Sequence, residues 1–165
     1  LWGLRLGGLM AMDFAAHCPV PVRDILLWQP VTSGKLYVTQ ILRQRVASLM
    51  VRELPPETTK EIRQRLAQGE CVEVAGYTLA GDIVADIEAL APAMEGPLCS
   101  GAVHWLEHVS EAGKELSVPS RKYIEQLEQA GQSVHTATFA DPPIWMIHER
   151  DEAPRLLAAT GEAMA

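Results

Sequence analysis

The chain has 165 residues, of which 48% are hydrophobic and 21% are charged, an ordinary balance for a globular protein with one buried core. The formal net charge of −7 argues against a nucleic-acid partner, which needs a basic face, and against electrostatic docking on an anionic membrane. No stretch approaches the roughly 20 apolar residues that a membrane-spanning helix needs.

The first motif in the chain is Gly-Leu-Arg-Leu-Gly at residues 3–7, which has the pattern of a nucleophile elbow. In an α/β-hydrolase this strand–turn–helix holds a serine between the glycines, in a strained backbone. Here the central residue is Arg5, whose guanidinium stays protonated at ordinary pH and cannot attack a carbonyl. The alternative is that these glycines only mark a common junction between a strand and a helix.

The remaining elements alternate between strand and helix. In chain order we expect a helix over 8–17, a buried strand over 25–28, a helix over 36–50, a helix with a capping-box start at Thr58 and Glu61, a short strand over 72–75 followed by a turn at 76–79, a helix over 83–90, a strand over 103–109, a helix over 119–130, a strand over 133–139 and a helix over 152–163. This alternation predicts an α/β fold with a mostly parallel sheet and helices on both faces. The mostly helical block over 34–92 interrupts it and predicts a lid or insertion over one end of the sheet.

Three cysteines, Cys18, Cys71 and Cys99, are far apart and odd in number. They predict reduced, buried thiols in a cytoplasmic protein, with no disulfide framework and no zinc site. Residues 104–108 spell His-Trp-Leu-Glu-His, the inverted zinc-protease motif, which requires a helix. The flanking residues predict a strand instead, where residues four apart lie roughly 13 Å from each other. We therefore expect no metal and no other cofactor.

A histidine and a carboxylate follow the last two predicted strands. His148 lies where the general base stands in the hydrolase order of nucleophile, acid and histidine. The acid would follow the preceding strand, where Glu111 is our candidate beside Glu107 and Glu115. Without a serine to deprotonate, the alternative for His148 is a surface histidine in a charged loop. Trp145 either lines a pocket or packs in the core.

Four segments resemble the exosortase A system-associated hydrolase 2 family of the α/β-hydrolase superfamily: residues 1–7, 74–79, 143–145 and 152–160. The first, Leu-Trp-Gly-Leu-Arg-Leu-Gly, is the most specific, and arginine stands at the elbow in the family as well. The chain departs from the family at Ile144, where phenylalanine is expected before the tryptophan. Because the chain opens two residues before the turn, we expect residues 1–165 to form the C-terminal part of one α/β-hydrolase domain, with 34–92 as its helical lid.

The resemblance implies a protein linked to bacterial gene clusters for exopolysaccharide and for PEP-CTERM protein sorting. The implied activity is hydrolysis of an acyl ester or thioester, with Arg5, His148 and Glu111 as catalytic candidates and Arg5, Leu6 and Trp145 as ligand-binding residues. In such an enzyme Arg5 and the free N–H groups of the helix would stabilise an anion or oxyanion, and His148 would activate water.

Two alternatives stand beside the enzyme. The first is a pseudoenzyme that uses Arg5 to hold a carboxylate, phosphate or acidic glycan. The second is a non-catalytic partner for another hydrolase from the same gene cluster.

Overall fold

A computed structural model describes residues 1–92, 94–146 and 152–165. The chain divides into two compact units, which we call the sheet unit (Leu1–Thr32 with Pro92–Ala165) and the helical unit (Ser33–Ala91). The elements in chain order are β1 (Trp2–Leu4), α1 (Leu6–His17), β2 (Ile25–Trp28), α2 (Gly34–Val51), α3 (Thr59–Ala67), β3 (Val72–Val74), β4 (Tyr77–Leu79), α4 (Gly81–Ala89), β5 (Ala102–His108), α5 (Val118–Gln129), β6 (Ser133–Phe139) and α6 (Pro154–Ala163).

The sheet unit is built on four strands in the order β1-β2-β5-β6, and all three pairings are parallel. The predicted strand over 25–28 is confirmed, as is the α/β fold class. Its run of Ile-Leu-Leu-Trp suits a strand that is buried on both faces. Because the strands are parallel, the chain leaves every one of them at the same edge, which we call the carboxyl edge.

Helices cover both faces of this sheet. Leu27 and Trp105 point to one face, where a Cβ built on Gly8 of α1 would lie 3.4 Å from the Leu27 Cδ2 atom. On the same face the Trp105 ring packs against Tyr123 of α5, with ring centres 5.8 Å apart. On the opposite face α6 covers an apolar cluster formed by Leu26, Leu106, Phe139, Ala153 and Leu156. The alternation of side chains along each strand produces the two cores.

The helical unit contains α2, α3, α4 and the β3–β4 hairpin around a core of its own, formed by Val38, Leu42, Ile62, Leu66, Val72, Val74 and Val84. The predicted capping box is confirmed. The Glu61 N–H donates to the Thr58 hydroxyl at 3.2 Å, and the Thr58 N–H donates to the Glu61 carboxylate at 2.7 Å. The role of residues 34–92 as a lid stays a prediction.

Two local expectations were wrong. Residues 77–79 form β4 rather than a turn, because Ala75 (φ 51°) and Gly76 (φ 84°) already reverse the chain in a two-residue hairpin loop. Cys99 is buried, but Cys18 is only half-buried and Cys71 is exposed; all three thiols are free. Among the described residues, no helix has both the length and the apolar character required to span a bilayer.

Candidate functional site

The turn between β1 and α1 has a strained backbone centred on Arg5. Arg5 has φ 54° and ψ −118°, a conformation that non-glycine residues rarely adopt. Its N–H donates to the carbonyl of Trp28 at 3.0 Å, and its carbonyl accepts from the Gly8 N–H at 3.0 Å. Hydrogen bonds to β2 and to the first turn of α1 therefore hold the strained residue at the carboxyl edge of the sheet.

The glycines around Arg5 differ in how much space their surroundings leave for a side chain. A Cβ on Gly3 would lie 2.3 Å from the carbonyl oxygen of Gly7, so β1 and α1 approach too closely for any side chain there. A Cβ on Gly8 would lie 3.0 Å from Pro30. A Cβ on Gly7 would meet nothing within 4 Å. The tight turn therefore requires Gly3 and, to a lesser degree, Gly8, whereas the second glycine of the sequence motif is not required by packing.

The same turn combines the start of a helix with a cationic side chain. Leu6 and Gly7 open the twelve-residue helix α1, and the first N–H groups of a helix have no partner within it. The helix dipole adds partial positive charge at this end, the first turn holds no acidic residue, and the half-buried Arg5 contributes a permanent cation. This combination favours an anion or an oxygen atom that develops negative charge.

Gln29 connects β2 to β5 at the carboxyl edge by hydrogen bonds, a role that the sequence did not predict. It follows β2 directly with φ 44°, donates its N–H to the Leu106 carbonyl at 2.7 Å and accepts the His108 N–H on Oε1 at 2.5 Å. A polar residue immediately after a buried parallel strand is the signal that could have indicated it.

Trp145 lies in an aromatic cluster after β6. Its ring centre is 5.8 Å from that of His108 and 6.3 Å from that of Phe139, with nearly perpendicular planes in both pairs. Trp145 is half-buried. Arg5 follows β1 and Trp145 comes after β6. Because β2 and β5 lie between these two strands, the axes of β1 and β6 are about 14 Å apart. Both residues thus follow strands that end at the carboxyl edge.

Two candidate carboxylates, one near the end of β5 and one after it, differ in burial. Glu111 is an exposed residue whose carboxylate lies 3.6 Å from Lys114 Nζ. Glu107, by contrast, is only 4% exposed and accepts from the Trp105 Nε1–H at 3.2 Å and from the Ser117 N–H at 2.9 Å. Glu107 therefore secures the start of α5. His148 lies outside the described residues, so its pairing with Glu111 stays a prediction.

The His-Trp-Leu-Glu-His motif lies in β5, as expected, so His104 and His108 are four strand residues apart. The nearest aromatic partner of His104 is His135, the residue paired with it on β6, at 5.2 Å between ring centres. Burial lowers the pKa of His104, the neighbouring His135 lowers it further, and Asp24 acts in the opposite direction. Within the described residues, no group of three or more metal-ligating side chains occurs.

An apolar cavity of about 530 Å³ lies at the other end of the sheet unit, near the start of β1 and β2. Its lining includes Leu1, Phe14, Val20 and Leu26. Beside it, the Asp24 carboxylate accepts the Ala102 N–H at 3.1 Å and pairs with Arg23 at 2.7 Å, and both contacts hold its pKa below the usual value. This cavity is at the opposite end of the strands from Arg5 and is separate from the turn between β1 and α1.

Comparison with protein-family models gives no match for this chain, and no curated protein matches it.

Proposed function

We propose that the chain is part of an α/β-hydrolase-superfamily protein that acts on an acyl ester or thioester, as its resemblance to the exosortase A system-associated hydrolase 2 family implies. The observation that carries the proposal is the backbone of Arg5, with φ 54° and ψ −118° between a parallel strand and a helix. The close approach at Gly3 supports it, because a backbone contact of this kind is what a nucleophile elbow demands.

In this proposal water is the attacking nucleophile. Water adds to the carbonyl carbon while His148 accepts its proton, and the carbonyl oxygen gains the negative charge. Arg5 and the first N–H groups of α1 stabilise that oxyanion. The intermediate then collapses, the bond to the alcohol or thiol breaks, and His148 returns the proton to the leaving group. Glu111 is the candidate for orienting His148.

The second candidate function is binding of an anion without catalysis, at the same turn. It is favoured by the surface position of Glu111 beside Lys114, since an acid that orients a catalytic histidine is normally buried. The ligand would present a carboxylate or phosphate to the Arg5 guanidinium, which binds both groups with two parallel hydrogen bonds. An acidic glycan has this chemistry as well.

Hydrolysis of a panel of p-nitrophenyl esters and acyl thioesters by the full-length protein tests the first function. The variants are Arg5→Gln and His148→Ala. Arg23→Gln is the matched control, because Arg23 is a highly exposed arginine at the other end of the sheet. We expect a loss of turnover of about 100-fold or more in both site variants, the scale of removing one oxyanion donor or one general base. Arg23→Gln should keep the wild-type rate.

The outcomes separate the two functions. If the wild type turns over no substrate but binds acetate or inorganic phosphate in calorimetry, and Arg5→Gln abolishes that binding, the non-catalytic function is supported. If turnover is unchanged in both site variants while circular dichroism shows them folded, the elbow is not the reaction site. If the wild type shows neither turnover nor anion binding, both functions are refuted.

A further inference from the structure

We propose that His104 and His135 form a two-histidine binding site for a transition-metal cation such as Cu²⁺ or Zn²⁺. The two residues are direct partners in the register of β5 and β6, on the face that α6 covers. Their ring centres are 5.2 Å apart and their planes are inclined by 75°. The site is separate from the elbow and does not depend on the function proposed for it.

An unsatisfied buried nitrogen is the first observation that points to a ligand. His104 is only 6% exposed, and its Nδ1 atom is buried with no hydrogen-bond partner among the described residues. Buried polar atoms are almost always paired, because an unpaired one has lost its water without compensation. With the ring proton on Nε2, Nδ1 carries a free lone pair, which a metal ion would satisfy.

The separation of the rings is the second observation. Imidazole nitrogens bind zinc at about 2.0–2.1 Å in tetrahedral geometry, which sets two ring centres on one ion about 5 Å apart. The 5.2 Å between the ring centres of His104 and His135 agrees with that separation. His135 is exposed, so an ion can enter the site from solvent.

The surroundings favour a cation held by neutral imidazoles. Metal ligation requires a neutral imidazole with a free lone pair, and an ordinary histidine, with a pKa of about 6.5, is mostly in that form at neutral pH. The Asp24 carboxylate is already engaged with Arg23 and Ala102, so the protein supplies two nitrogen ligands and water completes the coordination. Imidazole ligands select Cu²⁺, Ni²⁺ and Zn²⁺ over Mg²⁺ and Ca²⁺.

The strand pairing also explains why the zinc-protease pattern of residues 104–108 does not identify the two ligands. In β5, His108 is roughly 13 Å further along the strand from His104 and packs against Phe139 and Trp145. The residue that can share an ion with His104 comes from the neighbouring strand, about 30 positions later in the chain.

Titration of the whole protein with CuCl₂ and with ZnCl₂, followed by calorimetry and by the shift in Tm, tests the site. The wild type should bind one equivalent, more tightly for Cu²⁺ than for Zn²⁺, with a rise in Tm. His135→Ala is the decisive variant, because His135 is exposed and its loss leaves the core intact. It should weaken binding at least tenfold. His17→Ala and Cys71→Ala are the matched controls, since they remove an exposed imidazole and the exposed thiol, and should leave binding unchanged.

Equal affinity in the wild type and in His135→Ala would overturn the assignment, as would the absence of any rise in Tm with metal in the wild type. Loss of binding in Cys71→Ala instead would place the ion on that thiol and equally overturn it. Ester hydrolysis has no part in these readouts, so their result leaves the elbow proposal untouched.

Discussion

Replacing Gly3 by alanine should destabilise the sheet unit strongly, whereas the same change at Gly7 should not. The Cβ added at Gly3 would lie 2.3 Å from the Gly7 carbonyl oxygen and 2.5 Å from the Gly8 nitrogen. Both are backbone atoms of α1, which cannot rotate away as a side chain can. Relief of the clash therefore requires β1 and the whole of α1 to separate.

The magnitude follows from this difference. Inserting a methyl group into a closely packed site costs about 1–3 kcal/mol, and a backbone neighbour favours the upper end of that range. At Gly7 the added methyl group meets nothing within 4 Å, and alanine lowers the entropy of the unfolded chain, so Gly7→Ala should change stability by between zero and about +1 kcal/mol. With a urea m-value of about 1–3 kcal/mol/M, Gly3→Ala should lower the unfolding midpoint by about 1 M or more.

Tryptophan fluorescence during urea unfolding isolates the relevant unit. All four tryptophans belong to the sheet unit: Trp2, Trp28, Trp105 and Trp145. The signal therefore reports on that unit even if the helical unit unfolds separately. Equal midpoints for Gly3→Ala and the wild type would refute the argument that the backbone contact sets the geometry of the turn at Arg5. Equal losses in Gly3→Ala and Gly7→Ala would also refute it.

The other predictions concern a helix cap, a buried histidine and a buried hydroxyl. Thr58→Ala should lower the free energy of unfolding of the helical unit by about 1 kcal/mol, because the capping box is lost. Urea unfolding followed by far-UV circular dichroism measures this change. Thr59→Ala, one residue later, is the control, and equal effects of the two substitutions would contradict the role of the cap. Burial lowers the pKa of His104 from its ordinary value of 6.5, so below about pH 6.5 the unfolded chain binds a proton on this residue more readily than the folded protein does. The free energy of unfolding should therefore be unaffected by His104 above about pH 6.5. Below that pH it should decrease by at most about 1.4 kcal/mol per pH unit. Urea midpoints from about pH 8 to about pH 5 check this, and His104→Leu should flatten the slope; an unchanged slope would assign it to other groups. Tyr123→Phe should leave the free energy of unfolding unchanged or raise it by up to about 1 kcal/mol, because the buried hydroxyl has no hydrogen-bond partner among the described residues. A decrease of more than about 1 kcal/mol in thermal unfolding would contradict this and indicate a hydrogen-bond partner.

The sequence predicts the features of this protein that depend on a few consecutive residues. The run over 25–28 is apolar and β-branched or bulky throughout, and a strand with both faces buried is the result. Thr58 and Glu61 have the spacing at which each side chain reaches the other's backbone, so the start of α3 could be placed in advance. The strand-to-helix turn at Arg5 is of the same kind, because small residues and a helical run follow each other within a few positions.

The tertiary structure decides everything that depends on which strand lies beside which. The sequence offers two equivalent glycines around Arg5, Gly3 and Gly7, and only the approach of α1 to β1 makes Gly3 the one that packing requires. The sequence predicts that His104 and His108 are too far apart along one strand to act together, but only the strand register shows that His135 is the partner of His104. Glu107 and Glu111 look alike in the sequence, and the position of α5 buries one and leaves the other beside Lys114. Local pattern determines the elements because propensity and hydrogen bonding act over short range; the neighbours of each side chain are a property of the assembled sheet.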